Sequence, residues 1–194
     1  MQENNKIVKN TNPAIKSIIE QVELFVLVLA VMIFVFSFVL RTCKVSGDSM
    51  DDTLINNENV LVSNIAYTPE RGDIIVFHQT GTGEYDYNEP IVKRVIGVAG
   101  DTVEIEHLKD SMIVTITDSN GNSTVLKEDY IKYDYPSYSN STTYVEEGTV
   151  FVLGDNRSHS GDSRLSSIGL VDTRRILGKV FFRVTPFSRF GVID

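Results

Sequence analysis

One cysteine, Cys43, stands in these 194 residues, so no internal disulfide can staple the chain, and cysteine usage does not point to a redox compartment. The three histidines, His78, His107 and His159, lie far apart. There is no HExxH pair and no Cys/His cluster, which leaves a zinc site without donors. Neither a GxGxxG turn nor a Walker-type phosphate loop occurs, so nothing marks a nucleotide site. No metal and no cofactor is expected. Positive charge is also scarce: from Val45 to Asp194, 13 Lys and Arg face 23 Asp and Glu, a formal charge of −10. Such a surface argues against nucleic acid as a partner and against strong adsorption to anionic lipid.

Long apolar runs are equally rare, and the single one decides the class. Leu24 to Leu40 holds no charge, Gly or Pro across 17 residues. Spanning the hydrocarbon core takes about 20 apolar residues, and Ile15 to Val22 can carry the helix back to Pro13, a residue suited to a first turn. A cleaved secretory signal is disfavoured because Leu40-Arg41-Thr42-Cys43-Lys44 offers no small-x-small site. Lipid attachment at Cys43 would want small residues where Arg41 and Thr42 stand. A buried core helix would not be apolar on every side. The run therefore reads as one uncleaved membrane span. Lys6, Lys9 and Lys16 before it, against Arg41 and Lys44 after it, lean slightly toward a cytoplasmic N-terminus.

Beyond the span the chain changes character. Short β-branched and aromatic runs, Asn59–Val62, Ile74–Phe77, Ile91–Val98, Thr102–Glu106, Ile113–Ile116, Val150–Leu153 and Gly178–Val184, alternate with Gly, Asn, Asp and Pro. No ten-residue helical stripe interrupts them. The expected fold is mainly β, an antiparallel sheet or barrel-like core behind one N-terminal transmembrane helix. Residues 103–147 differ from their flanks: Asp118–Ser123 is a hairpin-turn signal, and a Tyr/Ser/Asn-rich loop follows from Tyr133 to Tyr144. They read as a small β insertion or cap. The expected organisation is a tail and helix start over 1–23, the span over 24–40, a catalytic core made of 45–102 and 148–194, and the insertion between them.

Three stretches carry candidate chemistry. In Val45-Ser46-Gly47-Asp48-Ser49-Met50 a serine follows a glycine that permits a sharp turn. A serine hydroxyl needs a base before it can attack at neutral pH. Lysine can serve if burial lowers its pKa, and Lys93 shares a strand face with the apolar Ile91 and Val95. An edge-strand lysine that snorkels to water fits the same pattern. The third stretch, Gly154-Asp155-Asn156-Arg157-Ser158-His159-Ser160-Gly161-Asp162-Ser163-Arg164, is either a solvated loop or a hydrogen-bonded lattice beneath a site.

Taken together, VSGDSMDDTL (45–54), RGDIIVF (71–77), KRVIGVAGD (93–101) and GDNRSHSGDSR (154–164) resemble the successive boxes of bacterial type I signal peptidases, in the family's order and behind an N-terminal anchor. The single-span, compact form is similar to the Gram-positive branch. The resemblance implies a membrane-anchored serine endopeptidase that removes N-terminal signal peptides from secreted preproteins after a small-x-small motif. Ser49 matches the nucleophile and Lys93 the general base. Ser160 matches the serine that orients the lysine, and Asp162 with Arg164 the supporting ion pair. Asp155 and Arg157 belong to the same lattice, and Arg94 completes the second-last box. Val45, Gly47, Met50, Leu54 and Val92 fall where the family lines its narrow substrate pockets. The implied partners are preprotein signal peptides, the lipid bilayer and the secretion machinery. The implied location is the cell membrane, single-pass, with an extracytoplasmic catalytic domain.

Two positions depart from the family pattern. Asp52 stands where Pro is usual, removing a φ restraint and adding charge near the groove, and Gly47 stands where other branches carry a hydroxyl. The competing readings are a Ser–Lys autoprotease of the SOS-repressor type, which the span argues against, and a non-catalytic or specialised accessory of a secretion or pilus-assembly locus. His159 is the fallback base.

Overall fold

The computed structural model describes residues 13–34, 41–79, 90–108, 111–131 and 139–193. Its first unit contains the helix α1 (Pro13–Phe34), which opens on the proline, where a missing N–H costs nothing. None of its side chains is buried, and the helix is long and apolar enough to cross a membrane. At ~1.5 Å per residue its 22 residues reach ~33 Å, against ~30 Å for a hydrocarbon core. Positions 35–40 of the expected span lie outside the described residues.

The second unit is β. Its strands are β1 (Arg41–Lys44), β2 (Asn59–Ser63), β3 (Ile74–Phe77), β4 (Ile91–Gly97), β5 (Thr102–His107), β6 (Met112–Thr117), β7 (Ser123–Val125), β8 (Ser141–Tyr144), β9 (Thr149–Leu153), β10 (Val171–Asp172), β11 (Ile176–Thr185) and β12 (Gly191–Val192). Among the described residues the larger sheet runs β1-β2-β11-β3-β4-β9-β10, with β12 also on β11. A smaller sheet runs β7-β6-β5-β8. All the pairings are antiparallel. Every apolar run expected to be extended forms a strand, save that β4 stops at Gly97, one residue short of Val98. The polar strand β8 arises within the stretch expected as loop, and β1 within the flank of the span.

Burial explains which runs became which strands. All four residues of β3 are buried, as are the last four of β9, so both read as unbroken apolar runs covered on two faces. On β3, Ile74 and Val76 enter a core cluster with Val45, Met50, Leu54, Val60 and Val62, while Ile75 and Phe77 enter a second with Val95, Val150 and Val152. A third cluster joins the two sheets: Val103, Ile105, Val114 and Ile116 of the small sheet meet Ile96, Phe151 and Leu153 of the large one. Fully burying a side chain such as Phe151 contributes ~1.5–3 kcal/mol. The seam between the sheets is thus a core in its own right. Register then sets up the site: Ile75 faces Lys93 across β3 and β4, and Arg94 faces Leu153 across β4 and β9. The loop that leaves β9 therefore starts beside Lys93 and Arg94.

Candidate active site

Ser49 lies in the connection between β1 and β2, which closes on itself through Val45 N–H to Glu58 O (2.8 Å) and Asn57 N–H to Val45 O (2.9 Å). Gly47 supplies the turn, at φ +89°, where a side chain would be strained. Its N–H donates to Asn56 Oδ1 at 3.2 Å. Ser49 Oγ and Lys93 Nζ, 44 residues apart in sequence, lie 2.7 Å from each other. Nζ also donates to its neighbour's carbonyl, Val92 O, at 2.9 Å. Lys93 is only 4% exposed, so the edge-lysine alternative does not describe it.

Burial pulls the Lys93 ammonium down to about 8, against the opposing pull of Asp162 and Asp155; nearby Arg164 lowers it further, while Asp48 raises it. Relative to its ordinary value this gives roughly 300-fold more neutral amine at pH 7. A neutral amine 2.7 Å from a hydroxyl is a base in reach of its proton. His159, by contrast, is exposed.

The loop after β9 grips the Ser49 turn by its backbone. Asn156 N–H donates to Ser49 O at 3.0 Å, and Asn156 Nδ2 donates to Asp48 O at 3.1 Å. Gly154 makes this approach possible, because a Cβ there would collide with the Ser49 carbonyl and the Ser160 side chain. Asp162 takes both Arg164 Nε and Nη2, each at 2.8 Å, and accepts from Gly154 N–H at 3.1 Å. Arg164 Nη2 donates on to Arg157 O at 2.9 Å and Ser160 O at 3.5 Å. Ser160 is buried in this lattice.

Asp155 and Arg157 are in the lattice but are not each other's partners. Asp155 holds Arg94 with two bonds, Nε to Oδ1 at 2.9 Å and Nη2 to Oδ2 at 2.8 Å, and accepts from Thr53 Oγ1 at 2.5 Å. Arg157, 1% exposed, pairs with Glu128, and its Nε donates to Gly154 O at 3.1 Å. A second clamp lies on the other flank of the Ser49 turn. The buried Glu58 binds Arg183 Nε at 2.9 Å and Arg189 Nη1 at 2.8 Å, while Arg183 donates to Thr53 O and Arg189 to Asp52 O. Sequence reasoning missed Thr53, Glu58, Glu128, Tyr130, Arg183 and Arg189. Only Arg183 carried a signal, as a lone charge inside the apolar Phe181-Phe182-Arg183-Val184.

A cavity of about 600 Å³ opens beside Ser49 and Lys93, walled by apolar Val45, Val60, Val76, Ile91 and Val92 together with Gly47. Of the five residues expected to face substrate, Val45, Gly47 and Val92 line it. Met50 and Leu54 do not; both are fully buried in the cluster that backs Val45, Val60 and Val76, because the turn folds their side chains inward.

The family model described as signal peptidase, peptidase S26, matches residues 18–185. Signal peptidase IB of Staphylococcus aureus is 35% identical over 195 residues, covering 90% of this chain and 93% of its own. A probable signal peptidase I-1 of Synechocystis is 33% identical over 178 residues, covering 89% and 85%. A crystal structure of a signal peptidase I from Enterococcus faecalis is 31% identical, with a TM-score of 0.41 over 58% of this chain and 97% of that one.

Proposed function

The chain belongs to the signal peptidases of family S26, and on that premise we propose that Ser49 and Lys93 are the dyad with which it removes signal peptides. The observation that carries the assignment is the 2.7 Å separation of Ser49 Oγ from a lysine amine buried away from water. Lys93 Nζ takes the hydroxyl proton as Oγ attacks the scissile carbonyl. The Ser49 backbone N–H faces the developing oxyanion. Collapse breaks the C–N bond, and the Lys93 ammonium returns its proton to the leaving amine of the mature protein. Water then attacks the Ser49 ester, with Lys93 again as base, and the signal peptide leaves as a carboxylic acid. The apolar walls at Val45, Val60, Val76 and Val92 suit small residues ahead of the cleaved bond. Asp162, Arg164, Asp155 and Ser160 hold the loop that supports the dyad.

The enzyme is membrane-anchored. In our reading α1 is its single span, the N-terminus is cytoplasmic, and the catalytic unit works on the extracytoplasmic side, where the secretion machinery delivers preproteins. The test is cleavage of a detergent-solubilised preprotein carrying an Ala-x-Ala site by wild type, Ser49→Ala and Lys93→Ala. One cut after the second Ala by wild type, with both variants inert, is expected. Wild type silent on several preproteins would favour a non-catalytic accessory instead.

A further inference from the structure

Among the described residues, the segment that follows β7 is where the small sheet reaches into the lattice around Ser49 and Lys93. Leu126 N–H donates to Val114 O at 2.8 Å, and Leu126 packs on the core between the sheets, which fixes where the next residues emerge. Two residues on, Glu128 meets the Arg157 guanidinium with both oxygens, Oε2 to Nη1 at 3.0 Å and Oε1 to Nη2. Their side chains are 8% and 1% exposed, so this is a dry pair. Tyr130 Oη donates to Glu128 Oε1 at 2.8 Å, and the Arg94 guanidinium stacks 4.1 Å over the Tyr130 ring. Burial first, and then the neighbouring Glu128 carboxylate, push the Tyr130 phenol up, which keeps its proton available to donate.

Of the guanidiniums that the main sheet and its loop bury, the small sheet meets two, those of Arg94 and Arg157. Arg94 holds Asp155 and Arg157 holds the carbonyl of Gly154. Between Asp155 and Arg157 sits Asn156, whose backbone N–H and side-chain amide hold the Ser49 and Asp48 carbonyls. Without Glu128 the Arg157 guanidinium would be a buried charge with no counter-charge, and that would destabilise the loop that holds it. Glu128 supplies the counter-charge, and the Tyr130 ring covers the face of Arg94.

We propose that Glu128 and Tyr130 are positioning residues for the nucleophile: through Arg157 and Arg94 they hold the 154–157 segment, and with it Ser49, at the distance from Lys93 that proton transfer needs. The small sheet is then a working part of the enzyme. The inference rests on the Ser49–Lys93 reading only for its kinetic arm. Neither residue touches the cavity, so chemistry and binding should separate.

The experiment compares wild type, Glu128→Gln, Tyr130→Phe, Arg157→Gln and the Glu128→Gln/Arg157→Gln pair, with rates normalised to sites that a serine-directed acylating probe can label. Glu128→Gln is expected to lower kcat per labelled site at least tenfold with KM within twofold of wild type. The double variant, with no buried charge left over, should recover at least threefold of that loss. Tyr130→Phe, a change small enough to leave the fold alone, should cost twofold to fivefold in kcat. Amide exchange read on a Ser49→Ala background supplies the second arm: Glu128→Gln should speed exchange at Asn156 and Arg157 at least tenfold and leave β3 unchanged. Unchanged kcat per labelled site in both Glu128→Gln and Tyr130→Phe overturns the proposal, as does unchanged exchange at Asn156. If wild type itself fails to cleave, the dyad assignment falls, and the exchange arm still decides this inference.

Discussion

The two sheets solve the same packing problem with different chemistry. In the large one β3 is buried at every residue, whereas β5 and β6 in the small one alternate buried with half-buried or exposed positions. A strand covered on both faces can hold a side chain away from water, and β4 does so with Lys93 and Arg94. The buried face of β5 and β6 is filled by apolar residues instead, and the small sheet's polar contribution, Glu128 and Tyr130, comes from the segment after β7. The large sheet buries the Ser49–Lys93 pair together with most of its polar partners, and the small sheet adds the last two, Glu128 and Tyr130.

Several substitutions would break or sharpen this contrast. The largest effect is expected in the large sheet: Ser49→Ala or Lys93→Ala should lower cleavage by at least ~10³-fold with an unchanged circular dichroism spectrum. Equal losses from an ordinary β6 variant such as Ile116→Val would erase the distinction between the sheets. Next comes pH. The base must be neutral to act, so kcat/KM should climb with pH to a midpoint near the Lys93 value of about 8 and level off above it, a rise of roughly 90-fold between pH 6 and 9. A flat profile would mean that Lys93 is not the group being deprotonated.

Glycines give the next comparison. Gly154→Ala forces a Cβ into the Ser49 carbonyl and should cost on the order of 10²-fold in kcat. Gly121→Ala, in the β6–β7 turn at φ +84° with open space around it, should cost ~1–2 kcal/mol of stability and leave the rate per folded molecule alone. Lys93→Met should have an effect of opposite sign. Folding depresses this amine, so the unfolded chain binds more protons between pH 8 and its ordinary value of 10.5, and stability falls as pH drops through that window. Below pH 8 the penalty is complete, and the inert Met variant should melt later than wild type by the equivalent of ~3 kcal/mol. Smallest, Ile116→Val should cost ~1 kcal/mol of stability by chemical denaturation, with kcat unmoved.

How much of this could be read from the chain follows the same divide. Strands buried on two faces announce themselves as Ile-Ile-Val-Phe or Val-Phe-Val-Leu, and these were legible at once. β8 is Ser-Thr-Thr-Tyr at the edge of the small sheet; its order comes from backbone pairing with β5, which leaves no mark on composition. Lys93 between Ile91 and Val95 showed its apolar setting in advance. Met50 and Leu54 were expected at the pocket because they match the family's pocket-lining positions, but the turn after Ser49 places both in the core behind it. Glu128 and Glu58 were invisible for another reason. Each neutralises an arginine 29 or 125 residues away, and an acid within Lys-Glu-Asp-Tyr or Asn-Glu-Asn has no periodicity to betray it.

The clamp of Glu58, Arg183 and Arg189 has a consequence for timing. Ser49 is made early, yet the turn that carries it leans on guanidiniums that leave the ribosome more than a hundred residues later, and β11, which separates β2 from β3, is made just as late. A nascent chain halted short of position 189 would carry its serine and lysine without the frame that joins them. The Ser49 turn should therefore take its final shape only after residue 189 has been made.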